Sequence, residues 1–244
     1  MLPNINIFEL LYIDIETVPQ FSSHEQMNGN LKELWAAKHL LVRKEESENA
    51  EDGYLKRAGV YAEFAKIVCI SIGYFKKDKA TKQQTFRVKS FSGDDEKALL
   101  EEFVLLINKN FSPEHYSFCG HNIREFDIPF ICRRLLIHRL QFPEILQVTG
   151  KRPWEMNDVD TLQLWKFGDY KSFTSLKLLA EVLGIPSPKD DIEGKDVCRV
   201  YWNENGLARI VEYCQKDVVT VARLLLRFKG ETETLEDDAV VIVK

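Results

Sequence analysis

The sequence predicts an α/β fold in which a mixed β-sheet is flanked by α-helices. Strand-like segments come first, as runs able to pair with antiparallel neighbours, and then alternate with helical periodicities. The 244 residues are 45% hydrophobic, enough for one sizeable core. No internal repeat or low-complexity linker interrupts them. The expectation is one domain over residues 1–230, with a partly helical insertion at about 20–62 and an acidic, disordered tail at 231–244, whose apolar run at 239–243 could instead add a strand to a sheet edge, its own or a partner's.

Residues 5–18 read as the opening strand. Leu11, Ile13 and Ile15 alternate there with Tyr12, Asp14 and Glu16, and Pro19 ends the run. Side chains repeat every two residues along a strand, so Asp14 and Glu16 share a face. Residues 20–62 are rich in Lys, Glu, Asn and Ala, with one helical patch at 31–42. That length exceeds a hairpin loop, hence an insertion. Residues 66–75 form a strand, and 85–91 its antiparallel neighbour across the turn at 76–82. Ser92 or Asp94 caps a helix to about residue 108. A short buried strand at 116–120 follows, then a helix from Asp127 to about residue 140 and a short strand at 157–161. Residues 175–183 form a helix closed by Gly184, and 206–229 a long last helix.

No stretch reaches the roughly 18 apolar residues of a membrane helix, and the N-terminus has no basic n-region or cleavage site. Cys69, Cys119, Cys132, Cys198 and Cys214 are odd in number and form no CxxC pair, so buried reduced thiols are expected rather than disulfides or zinc. Together these features point to a cytoplasmic protein. The formal net charge is −5. The tail from Glu231 holds five acids against Lys244 alone, which leaves the body near −1. Without a basic stripe, tight non-specific binding to long duplexes is not expected. An enzyme that engages a few nucleotides at a strand end needs less basic surface.

Four carboxylates stand in or beside apolar segments. Asp14 and Glu16 lie in Leu-Tyr-Ile-Asp-Ile-Glu-Thr (11–17), Asp127 in Gly-His-Asn-Ile-Arg-Glu-Phe-Asp (120–127), and Asp217 in Tyr-Cys-Gln-Lys-Asp (213–217). Charges in such places are costly unless paired. A pair of divalent cations such as Mg²⁺ would offset that cost through oxygen ligands. Two carboxylates as close as Asp14 and Glu16 raise each other's pKa unless a cation intervenes. Asp127 is followed by Pro129, so an ordinary N-cap would also explain it. Tyr213 and Asp217, four apart on a helix, share a face that a simple polar stripe would equally occupy, while Val211, Cys214, Val218 and Val221 suit packing. Two metals in such a cluster would orient a phosphate, activate a water and stabilise a leaving oxygen, and Tyr213 would orient or deprotonate that water.

These motifs resemble the DEDD superfamily of 3′–5′ exonucleases, which have a ribonuclease-H-like fold. Asp14 and Glu16 match its Asp-x-Glu motif. Asn122, Phe126 and Asp127 match Asn-x-x-x-Phe-Asp, and Tyr213 and Asp217 match the Tyr-x-x-x-Asp of the tyrosine (DEDDy) branch. Residues 120–130, 183–189, 194–197 and 213–218 further resemble the proofreading exonuclease domain of family-B DNA polymerases, in its stand-alone bacterial form. The resemblance implies two Mg²⁺ or Mn²⁺ ions. Asp14, Glu16 and Asp217 would hold the first; Asp14 would bridge to the second, with Asp127 binding it directly or through water. Asn122, Phe126 and Thr17 would touch the terminal nucleotides. Lys189 is a phosphate-contact candidate and equally a solvated loop lysine. Asp160 is either a support for the ligands or a strand-end cap. His121 is expected to be a structural neighbour, since tyrosine fills the place where the other branch uses histidine. The implied activity is hydrolysis of single-stranded DNA from its 3′ end, with no polymerase domain in the chain. An RNA-trimming enzyme and a silent nucleic-acid-binding protein are the rivals, the latter disfavoured because all four carboxylates are present.

Overall fold

The computed structural model describes residues 5–147, 150–152, 155–169, 171, 173–186, 192–231 and 235–243. Among them six strands form one sheet: β1 (Leu10–Pro19), β2 (Ala65–Lys77), β3 (Gln84–Ser92), β4 (Ser117–Gly120), β5 (Val159–Asp160) and β6 (Val240–Val243). Their order is β5-β4-β1-β2-β3-β6. β1 pairs antiparallel with β2, and β2 with β3, while β4 runs parallel to β1 and β5 parallel to β4. This is the mixed sheet that the sequence predicts. The described helices are α1 (Gly29–Val42), α2 (Ala50–Arg57), α3 (Glu96–Asn110), α4 (Asp127–Ile137), α5 (Thr161–Lys166), α6 (Leu176–Val182), α7 (Val197–Glu204) and α8 (Leu207–Lys229). None of them is long and apolar enough to cross a membrane.

The alternation in β1 sorts its side chains between two cores. Leu11, Ile13 and Ile15 pack with Leu100 and Phe103 of α3 and Ile128 and Ile131 of α4. Tyr12 packs with Val218, Val221 and Leu225 of α8, and Val18 with Ile210 and Cys214 of the same helix. Asp14 and Glu16 lie between Tyr12 and Val18 on that second face, so the residue spacing alone aims them at α8.

The insertion builds a small core of its own around Trp35, Tyr54, Met27, Ala58 and Phe64. Trp35 Nε1 donates to the Ala50 carbonyl (2.7 Å), and Tyr54 Oη accepts the Phe21 amide (3.2 Å). Its two ends close beside β1, where the Gln20 amide donates to the Phe64 carbonyl (2.9 Å).

Several boundaries differ from expectation. The α3 cap is Asp95, whose side chain accepts the Ala98 amide, rather than Ser92 or Asp94. α4 stops at Ile137 because Arg139 turns left-handed, with φ of 57°. α2, α5 and α7 are additional. α2 is mostly polar, and α5 has six residues that start only because Asp160 caps them. In the tail, expected to be disordered from residue 231, the last apolar run takes the alternative of an added edge strand. Val240–Val243 pair parallel with Phe86–Lys89 of β3, covering an edge of the sheet. Arg223 of α8, 7% exposed, holds the approach to that strand: Nε donates to the Leu235 carbonyl (2.9 Å) and a terminal nitrogen to Asp237 Oδ1 (2.5 Å).

Candidate active site

β1 places the first two carboxylates. Glu16 is 8% exposed and Asp14 is half-buried. The register of β1 against β2 shifts between Glu16 and Thr17. Such a bulge re-aims the next side chain, and Thr17 Oγ1 donates to the Gly59 carbonyl of the insertion at 2.7 Å.

Asp127 opens α4 but is not its N-cap. Phe126 holds that position, without a side-chain bond. Asp127 Oδ1 instead accepts the Ile15 amide at 3.1 Å, which sets this carboxylate against the stretch of β1 between Asp14 and Glu16. Gly120 permits the close approach. A Cβ there would stand 2.8 Å from the Ile13 carbonyl oxygen and 2.1 Å from Cγ2 of Ile123.

α8 supplies the last pair. Cys214, Val218 and Val221 are buried against the sheet, while Val211, Tyr213 and Asp217 are half-buried beside them. Gln215 Nε2 donates to Ser90 Oγ (2.9 Å), itself 2.8 Å from Ser71 Oγ, which fixes the rotation of the helix over the sheet.

Three segments far apart in sequence thus deliver four carboxylates to one place, and their electrostatics record it. Burial pushes Asp14 well above the usual carboxylate range, followed by repulsion from Glu16, Asp127 and Asp217; a hydrogen bond from Cys214 acts the other way. Glu16 rises through burial and then the charge of Asp217. Burial also raises Asp127, to about 7, against the two amide hydrogen bonds that hold it down. Tyr213 is driven up by burial and by Asp217, Glu16 and Asp14. Oδ2 of Asp14 is buried and has no hydrogen-bond partner. Carboxylate oxygens of Asp14 and Glu16 and the Cys214 sulfur lie within 4.8 Å of one another. An orphaned buried oxygen among mutually repelling carboxylates suits hard divalent cations.

Asp160 both caps and supports. Its Oδ1 accepts the Leu162 and Gln163 amides at the start of α5 and the Asn122 amide at 3.0 Å, while Oδ2 accepts the Arg124 amide at 3.1 Å. The loop from β4 to α4 is thereby held with Asn122 at φ of 66°, its Oδ1 buried and unpartnered. Phe126 packs on the α4 side, 5.4 Å from the Phe130 ring. His121 bridges Thr161 Oγ1 (2.9 Å) and the Thr174 carbonyl (2.8 Å), a structural use of both ring nitrogens. Lys189 lies outside the described residues. Helical spacing assigns Cys214 to packing alone, and Gly59 has no part in the motifs. Nothing local marks Gly59, whereas Cys214 sits one residue from Tyr213 on the same turn of α8.

Residues 60–242 match a family described as predicted 3′–5′ exonucleases related to the exonuclease domain of PolB. Asp14 and Glu16 precede the matched region and join it through the sheet and the Ile15–Asp127 bond. No curated protein matches the chain. Among solved structures, it resembles the family B DNA polymerase from the hyperthermophilic archaeon Pyrobaculum calidifontis, with 18% identity and a TM-score of 0.54. The likeness covers 90% of this chain and 24% of the polymerase, and it establishes the ribonuclease-H-like fold. By its sequence over these residues, this chain belongs to the family of predicted 3′–5′ exonucleases related to the exonuclease domain of PolB.

Proposed function

We infer that the chain is a metal-dependent 3′–5′ exonuclease of the tyrosine (DEDDy) type, acting on single-stranded DNA ends. One observation carries this reading: three distant motifs converge on a single carboxylate cluster in which Asp14, Glu16 and Asp127 all stand above their usual pKa and Asp14 Oδ2 has no partner. Asp14, Glu16 and Asp217 would hold one divalent cation, Mg²⁺ or Mn²⁺, and Asp14 with Asp127 a second. Bound there, the cations supply charge neutralisation and water activation for phosphodiester hydrolysis.

The chain's own residues do the rest. Ionisation of the carboxylates accompanies metal binding, because the like charges that raise their pKa are then compensated. Tyr213, which lies among these acids, would orient or deprotonate the attacking water. Asp160 holds the Asn122 backbone, and Asn122 and Phe126 meet the terminal nucleotides from the β4–α4 loop. Thr17, anchored on Gly59, borders the same end of β1.

The preference for DNA rests on the relation to PolB. Incubating the protein with end-labelled single-stranded DNA and RNA, in Mg²⁺ or Mn²⁺ and with an EDTA control, tests both polarity and substrate. A 3′–5′ ladder on DNA that EDTA abolishes is expected. Shortening of RNA alone would reassign the substrate, and cleavage in EDTA would remove the metals.

A further inference from the structure

The insertion holds a second set of metal-ligating side chains, outside the carboxylate cluster. His24 and Glu25 lie in the 3₁₀ turn His24–Gln26 that follows β1, and Glu51 in the first turn of α2. One ligand atom from each lies within 4.8 Å of the other two. Two ligands about 2.1 Å from a common metal stand at most about 4.2 Å apart, so small side-chain rotations close the set.

Two further observations point at a cation. Nε2 of His24 is buried and has no hydrogen-bond partner, although its ring is held edge-on against Tyr54, with centroids 6.1 Å apart. Glu25 and Glu51 are exposed acids whose like charges act on one another. Asp52 adds to the negative field at Glu51, and Lys32 opposes it.

We propose that His24, Glu25 and Glu51 bind a Zn²⁺ ion that clamps the turn after β1 to the start of α2. One imidazole with two carboxylates suits zinc better than Mg²⁺, which takes oxygen ligands. The cation offsets the negative charge of the two carboxylates and engages the imidazole. The site stiffens the element that ends in Gly59, whose carbonyl seats Thr17 beside Glu16. It is independent of the proposed nuclease chemistry.

The test uses the full-length chain carrying Asp14→Asn and Asp217→Asn, which weakens metal binding at the carboxylate cluster. Zn²⁺ is titrated calorimetrically in excess Mg²⁺, with thermal unfolding followed in parallel. One equivalent of Zn²⁺ and a rise of several degrees in Tm are expected. Glu51→Gln and Glu25→Gln are exposed changes that leave the fold intact. Each of them, like His24→Ala, is expected to weaken Zn²⁺ binding at least tenfold and to cancel the Tm rise. Absence of Zn²⁺ binding in the parent overturns the site, as does undiminished binding in the glutamine variants.

Discussion

Two groups of buried acids lie in the cores on either side of this sheet and are treated in opposite ways. On the α3–α4 side, Glu96 is 5% exposed and fully engaged. Arg134 Nε donates to its Oε1 at 2.8 Å, a second Arg134 nitrogen bonds Oε2, His138 Nε2 lies 2.6 Å from Oε2, and the Ile67 amide donates to Oε1 at 2.7 Å. Arg134 in turn donates to the Ala62 carbonyl at 2.8 Å. On the α8 side, Asp14, Glu16 and Asp127 face one another and Asp217, and burial with mutual repulsion pushes them up. The first acid is neutralised by its own protein. Among the described residues, Asp14, Glu16 and Asp127 form no ion pair with a basic side chain. Glu16 and Asp127, 8% and 3% exposed, are as buried as Glu96, so among these described acids a basic partner separates the structural acid from the candidate ligands.

The sharpest break of this contrast comes from removing a ligand. Asp14→Ala or Asp217→Ala is expected to abolish cleavage while leaving the metal-free protein at least as heat-stable, since a like-charge repulsion is relieved. Single-turnover cleavage of a labelled strand, with an unfolding curve on the same preparation, reads both. Wild-type rates in either variant would end the two-metal assignment.

Tyr213→Phe keeps the ring and removes the hydroxyl that lies among the acids. The cleavage step should slow about 10²–10⁴-fold, with little change in substrate affinity, because the lost hydrogen bond acts mainly in the transition state. An unchanged rate at saturating Mg²⁺ would reduce Tyr213 to packing.

On the other side of the sheet the expectation reverses. Glu96→Ala strands the Arg134 guanidinium in the core and should destabilise the fold by about 3–5 kcal/mol, with kcat preserved below the melting point. Chemical denaturation measures it; an effect under 1 kcal/mol would mean that Arg134 finds other partners.

A smaller effect is pH-dependent. Asp127 stands at about 7 in the folded chain against an ordinary 3.8. An acid raised on folding binds more protons in the native state, so metal-free stability should fall as pH rises from about 4 to about 7. Asp127→Asn should flatten that part of the curve, and saturating Mg²⁺ should oppose the loss at the upper end. A Tm that climbs over this window in the metal-free wild type would contradict the crowded cluster.

The smallest change tests a third buried charge. Truncation after Gly230 removes the Leu235 carbonyl from Arg223 and the β6 cover from β3. A loss of about 1–3 kcal/mol is expected from the unsatisfied guanidinium, with activity on short oligonucleotides retained. No change in stability would mean that β6 is only loosely docked.

What could be read from the sequence was local and periodic. The period of two in β1 put Asp14 and Glu16 on one face, and the period of 3.6 in α8 put Tyr213 and Asp217 together beside a buried stripe of Cys214, Val218 and Val221. The mixed sheet followed from the order of strands and helices. The candidate ligands were therefore legible from spacing, and their resemblance to a known set of motifs named the chemistry.

Tertiary structure decided what depends on pairs of residues with no common period. Asp127 could have been a helix cap; the Ile15 amide, 112 positions away, makes it part of the cluster. Asp160 looked equally like a cap or a support, and its two oxygens do both. The tail's charge argued for disorder, yet Val240–Val243 meet the unpaired edge of β3, and an edge strand offers its hydrogen bonds to whichever chain segment arrives in extended form. The insertion's polar sequence concealed a core around Trp35 and Tyr54, because its apolar residues come from four short pieces that share no face until the chain folds back on β1. Backbone periodicity is fixed by neighbours in sequence, whereas the pairing of a buried charge or an open edge is fixed only by what the fold carries to it.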